Sequence, residues 1–120
     1  MAILERDEQF LNEKAYQWCI VTGGTESAIL LRDFAVTPHL YDRDKTDLLI
    51  RIPTGYNNAP LDMYFVDPPL RLKTTGGYPD RADHFENFAG RRWQRFSRHM
   101  SEWRAGLDCL RTYLPLIQRE

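Results

Sequence analysis

Gly90-Arg91-Arg92-Trp93-Gln94-Arg95-Phe96-Ser97-Arg98-His99, followed closely by Trp103-Arg104-Ala105-Gly106, is the stretch on which the reading of the chain turns. Its arginines and rings show no sustained period, and Gly76-Gly77, Pro79 and Gly90 interrupt the residues before it. The expectation is therefore one long loop from Pro68 to about Met100. Loops of this length in a compact domain tend to carry function. At its centre Ser97 stands two residues before His99, and neither cysteine of the chain lies there.

Working outward, the segments before the loop read as strands. Gln17-Trp18-Cys19-Ile20-Val21-Thr22 is β-branched and aromatic, and Gly23-Gly24 separates it from a second extended run, Ser27 to Val36. Glycine supplies positive φ without steric cost, so this is a hairpin signal. Asp47 to Ile52 is a third strand, stopped by Pro53-Thr54-Gly55, and Leu61 to Val66 a fourth, stopped by Asp67-Pro68-Pro69. Proline cannot donate to a ladder, so each stop has a physical cause. Short connections make an antiparallel meander the simplest topology.

Helices close both ends. Glu5 to Ala15 carries Phe10, Leu11 and Ala15 among charges and reads as a short amphipathic helix. Trp103, Leu107, Leu110, Tyr113 or Leu114, and Ile117 recur at helical spacing, with Ser101 as the expected cap and Pro115 shortening or kinking the last turn. The expected fold class is α+β: N-terminal helix, four-stranded meander, long loop, C-terminal helix, in one domain over residues 1–120.

Composition limits the function. A chain of 120 residues with 42% hydrophobic and 28% charged residues has an ordinary globular balance. A net charge of -1 gives no whole-molecule field toward nucleic acid or membrane. No apolar run approaches the ~20 residues of a membrane span, and the first residues lack a basic region, so a cytoplasmic protein is expected. Cys19 and Cys109 are far apart with no CxxC spacing, and with three dispersed histidines they argue against a metal site.

The order of elements resembles the ubiquitin-conjugating enzyme (UBC) fold. Pro53-Thr54-Gly55-Tyr56-Asn57-Asn58-Ala59-Pro60 is similar to that superfamily's tyrosine–proline turn between the third and fourth strands. Asp67-Pro68-Pro69-Leu70 precedes the place of the active-site loop, and Trp103-Arg104-Ala105 resembles the Trp-Ser-Pro after the catalytic residue. The combination looks most like the prokaryotic relatives encoded beside ubiquitin-like proteins, an activating enzyme and a peptidase. The family's His-Pro-Asn triplet and its cysteine are missing; Tyr78-Pro79-Asp80 occupies the triplet's region, and Phe96-Ser97-Arg98 the place of the cysteine.

The resemblance implies a transferase. It would accept the C-terminus of a ubiquitin-like protein from a ThiF-like activating enzyme and pass it to a target amine, with ATP consumed upstream and no cofactor of its own. Such gene sets are associated with defence against phage. In one reading Ser97 holds the acyl group as an oxyester. A serine alcohol is far less acidic than a thiol and needs a base within hydrogen-bond reach. His99 and His84 are the candidates, the latter oriented by Asp83 or Asp80, with Asn87 as the oxyanion donor. Arg91, Arg92, Arg95 and Arg98, with Trp93, Trp103 and Tyr56, would shape the loop and meet the partner.

Three alternatives stand beside this. Cys109 could carry an ordinary thioester, against the plainer view of it as a small semi-buried cysteine. The domain could be a catalytically inactive relative that only binds a ubiquitin-like protein or an activating enzyme. The arginines interleaved with Trp93 and Phe96 also fit a patch for single-stranded nucleic acid, although the net charge and the lack of any such signature speak against it.

Overall fold

The computed structural model describes residues 3–98, 100 and 102–118. Its elements are α1 (Glu5–Glu13), β1 (Gln17–Gly23), β2 (Glu26–Ala35), β3 (Lys45–Ile52), β4 (Tyr64–Asp67), β5 (His84–Phe88), β6 (Arg91–Phe96) and α2 (Leu110–Gln118). The strands form one antiparallel sheet in the order β1-β2-β3-β4-β6-β5. The α+β class and both terminal helices agree with the sequence, but the sheet has six strands rather than four.

The two additional strands come from the stretch expected to be a loop. β5 and β6 are a hairpin turned by Ala89 and Gly90, both at positive φ (50° and 79°). β6 docks on β4 with Phe96 opposite Tyr64 and Gln94 opposite Val66. The strand was hidden because polar side chains stand at positions that a hydrophobic pattern would fill. Arg91, Trp93 and Arg95 share one face by the period of two, and Arg92, Gln94 and Phe96 the other. Arginine stems lie along apolar surface while their heads find carboxylates, so an arginine fits a half-buried face. Gln94 is fully buried because its amide is satisfied: Oε1 accepts from Leu70 N (2.7 Å), and Nε2 donates to Leu70 O (3.0 Å) and Ala82 O (2.7 Å). These bonds hold the 68–83 connection against β6.

Both faces of the sheet are apolar but are covered differently. On one, Phe10 and Leu11 of α1 and Leu110, Tyr113, Leu114 and Ile117 of α2 pack with Ile29, Leu31, Leu48, Ile50, Val66 and Phe96. On the other, Ala28, Leu30, Leu49, Phe65, Phe88 and Trp93 form a smaller cluster. No helix of the described residues belongs to it. The Arg51 guanidinium lies 5.3 Å from the Phe65 ring centre and 5.0 Å from that of Phe88, and Arg91 lies 4.4 Å from that of Trp93. This face is concave: Phe88 reaches Gly23 at the end of β1, where an added Cβ would come within 2.8 Å of the ring.

α2 begins at Leu110, later than the sequence spacing suggests. Residues 103–109 instead form turns, with Gly106 at φ 79°, a conformation that costs any other residue steric energy. Leu107 is consequently not on the buried stripe; it is 63% exposed. The expected cap Ser101 lies outside the described residues. Pro115 is accommodated inside α2, which continues to Gln118. No described helix is long and apolar enough to cross a membrane.

Candidate functional site

Ser97 immediately follows β6 and is half-buried. The backbone around it is pinned from three directions. Its N–H donates to Arg81 O (3.3 Å), Arg98 N donates to Phe96 O (3.1 Å), and the Tyr113 hydroxyl of α2 donates to Arg98 O (3.3 Å). The Ser97 carbonyl accepts from Arg98 Nη1 (3.3 Å), whereas the Ser97 hydroxyl makes no hydrogen bond to a described residue.

The other expected site residues separate into near and far groups. His84 is the first residue of β5 and stands opposite Arg95, two residues before Ser97 along β6. Diagonal positions of this kind are roughly 7–8 Å apart, within reach of an imidazole and a hydroxyl after small movements. His84 Nε2 lies 3.7 Å from Glu86 Oε2, and the same carboxylate meets Arg95 Nη1 (3.2 Å) and Arg51 Nη1 (3.1 Å). Glu86 is thus the centre of a charged group that sequence reasoning missed. Its signal was the i, i+2 spacing of His84 and Glu86, legible only once the segment is known to be a strand.

Asn87 is not brought to the site. It stands opposite Arg92, five positions from Ser97 along the chain, or roughly 16 Å at ~3.3 Å per residue. Asp80 lies on the turn before β5 with its side chain 91% exposed, its ion pair being Arg81 at 4.0 Å. His99 lies outside the described residues.

The expected partner-binding arginines are also dispersed. Arg91 pairs with Asp47 and Asp67 (3.1 and 2.9 Å), Arg92 covers the Phe85 ring at 4.2 Å, and Arg98 lies 5.5 Å from the Phe96 ring centre. Trp93 is 1% exposed, with Nε1 donating to Phe88 O (3.1 Å), and Phe96 is fully buried. These rings belong to the core and are not presented to a partner. Neither Trp93 nor Phe96 therefore offers an exposed ring on which a nucleic-acid base could stack.

Trp103 and Tyr56 do come together, in a polar knot where the starts of α1 and α2 meet the 53–60 turn. Their rings tilt against each other at 6.4 Å. Trp103 Nε1 and Gly106 N both donate to Asn57 O (2.9 and 3.2 Å), and Asn57 Nδ2 donates to Asp108 O (2.8 Å). The buried Asp7 carboxylate accepts from Leu4 N (3.1 Å), from the Tyr56 hydroxyl (2.8 Å) and from Leu110 N (3.1 Å), joining the starts of both helices to the 53–60 turn. Burial, and then the Asp7 charge beside it, push the Tyr56 hydroxyl far above the usual phenol range. Asp108 is held down to about 2 by the Arg104 guanidinium and by the Arg104 backbone N–H.

Cys109 lies beside this knot and is only 4% exposed, more deeply placed than a semi-buried reading implies. Its backbone N–H donates to Thr112 Oγ1 (3.0 Å). Cys19 is half-buried on β1, and both thiols are free.

A sheet flanked by terminal helices, with the 53–60 turn bonded to a tryptophan segment ahead of α2, matches the conjugating-enzyme layout in its coarse plan. The chain belongs to prokaryotic E2 family E, whose model matches residues 3–120. No curated protein and no solved structure matches the chain.

Proposed function

We propose that this protein is the conjugating component of a bacterial ubiquitin-like pathway and that Ser97 carries the acyl group as an oxyester. Family membership supports the class of activity. The observation that supports Ser97 is a hydroxyl with no described hydrogen-bond partner, at a strand end whose backbone is fixed on three sides. An activating enzyme of the ThiF type would present the ubiquitin-like C-terminus as a thioester. Ser97 Oγ attacks its carbonyl carbon, the thiolate leaves, and the hydroxyl proton passes to a base. A target amine then attacks the ester, and the serine oxygen recovers a proton as it leaves.

Among the described residues His84 is the base best placed, with Glu86 orienting its imidazole. A loose nucleophile–base geometry in an uncharged enzyme does not argue against the pair, because such contacts tighten in the reactive complex. Arg95 and Arg98 flank Ser97 and would offset charge developing on the oxyanion.

A second reading rests on the same observation seen from the other side. No described base touches Ser97 and Cys109 is sealed in, which fits a domain that binds a ubiquitin-like protein or activating enzyme without chemistry. Charging with the cognate activating enzyme, ATP and the ubiquitin-like protein separates the two. An adduct that survives thiol reductant, is lost in mild alkali and disappears in Ser97→Ala but not Cys109→Ser supports the transferase. Binding without any adduct supports the adaptor.

A further inference from the structure

Three cations border Ser97, and all are arginine. Arg95 and Arg98 flank it in sequence, and the Arg81 carbonyl accepts from its N–H (3.3 Å). The pattern extends beyond the site. Residues 74–120 carry eight arginines and no lysine, while the whole chain has 13 arginines and three lysines, Lys14, Lys45 and Lys73. Lysine is among the commonest residues of ordinary domains, so a cause is wanted.

Most of these arginines have a structural one. A guanidinium stacks on rings and forks onto carboxylates in ways that an ammonium cannot. Arg91 meets Asp47 and Asp67 and lies over Trp93, Arg92 covers Phe85, Arg95 meets Glu86, and Arg104 takes the buried Asp108 carboxylate with two nitrogens. Among the described residues Arg81 covers no ring and forks onto no carboxylate. Its side chain is 72% exposed, and its ion pair with a 91% exposed Asp80 spans 4.0 Å. Such a pair contributes little, and a lysine would make it equally well.

Resting on the reading of Ser97 as the acyl carrier, we infer that Arg81 determines where the acyl group goes. It keeps positive charge beside the ester without supplying an amine, so the ester lasts until an amine of another protein takes it. A guanidinium stays protonated, with a pKa above ~12, and has no free electron pair for attack. A lysine ammonium has a reference pKa of ~10.4 and releases some nucleophilic amine near neutral pH. On a flexible four-carbon stem beside Ser97, that amine would act at the high effective concentration of an intramolecular reagent. Its nitrogen would attack the ester carbonyl carbon. The C–O bond to Ser97 would break as the amide C–N bond formed, and the amine proton would pass to the departing serine oxygen. The chain would end acylated on itself, as a stable amide.

Two of the three lysines are remote from Ser97. Lys45 opens β3, five residues before Ile50, which stands opposite Tyr64, itself opposite Phe96. It is thus roughly 16 Å along the strand direction and about 10 Å across it from the end of β6. Lys14 follows α1 and leads into β1, four strands from β6 in the sheet order. Lys73 lies in the 68–83 connection, its N–H donating to Leu40 O (2.9 Å), and is the amine against which the unaltered chain is judged.

The full chain, charged with the cognate activating enzyme, ATP and ubiquitin-like protein, is compared with Arg81→Lys, Arg81→Gln and the remote, exposed Arg32→Lys. The unaltered chain should give an adduct lost in mild alkali. In Arg81→Lys the alkali-resistant share should rise at least about tenfold, grow with pH toward ~10, map to position 81 by mass spectrometry, and vanish when Ser97→Ala is added. Arg81→Gln and Arg32→Lys should stay at the unaltered level. An ester that forms on Ser97 and remains fully alkali-labile in Arg81→Lys overturns the inference, as does transfer in the unaltered chain to Lys73 or another of its own amines. No adduct in any chain removes the Ser97 reading itself and the inference with it, a result distinct from a failure confined to Arg81→Lys.

Discussion

The knot that joins Asp7, the 53–60 turn and residues 103–110 and the strand end that carries Ser97 are opposites in construction. In the knot, side chains from three distant segments satisfy one another, and a buried carboxylate takes three donors. At Ser97 the backbone is fixed but the side chain is left without a described partner. The contrast separates two tasks. Residues that hold the scaffold bond their polar groups to each other, while the residue proposed as the acceptor has a hydroxyl with no described partner. Such division is expected where a site must be positioned by something other than itself.

Substitutions test the two regions in order of effect. Asp7→Ala should be the most damaging, because it takes the acceptor from Leu4 N and from the Tyr56 hydroxyl and leaves Leu110 N with Tyr56 alone; a loss of roughly 3 kcal/mol is expected in denaturant unfolding. Gln94→Leu should cost about 2 kcal/mol by leaving Leu70 N and two carbonyls unpaired, and should loosen the 68–83 connection, read as faster amide exchange there. A wild-type midpoint in either variant would mean that these polar clusters are ornamental.

Tyr56→Phe should cost about 1.5 kcal/mol at neutral pH. It should also change the alkaline limb of stability. The Tyr56 hydroxyl has a raised folded-state pKa, so its contribution is complete below the unfolded value of ~10 and is lost as pH rises beyond it. The variant should therefore show a shallower decline above pH ~10. Asp108 acts in the opposite direction. Its carboxyl is held down to about 2, so its contribution is present above ~4 and is lost as pH falls from there toward about 2. An Asp108→Asn chain that still shows the same acid-limb slope would contradict that assignment. Ser97→Ala closes the series, with a stability change within about 0.5 kcal/mol, since its hydroxyl bonds to no described residue.

Much of the scaffold was legible in the chain. Gly23-Gly24 marked a true hairpin, Pro53 a true strand end, and the apolar spacing of residues 110–117 a true helix. The β5–β6 hairpin was not legible, because its alternation is written in arginines, Glu86 and Gln94, residues whose fit to a buried face depends on partners far along the chain. Asp7 left no signal for the same reason: Tyr56 and Leu110 are remote in sequence. Trp103 falls on the helical spacing because periodicity carries no record of the turn that Gly106 imposes. Of the candidate site, the sequence singled out Ser97 and His84 but not Glu86, and it included Asn87, which an extended β5 carries away from Ser97.

The most direct measurement is mass-spectrometric mapping of the adduct formed when the protein is charged with its ubiquitin-like partner. An acyl group on the Ser97 hydroxyl, absent in Ser97→Ala, is the result expected. An acyl group on Cys109, or none at all from a charging system that is otherwise active, would contradict the assignment of Ser97.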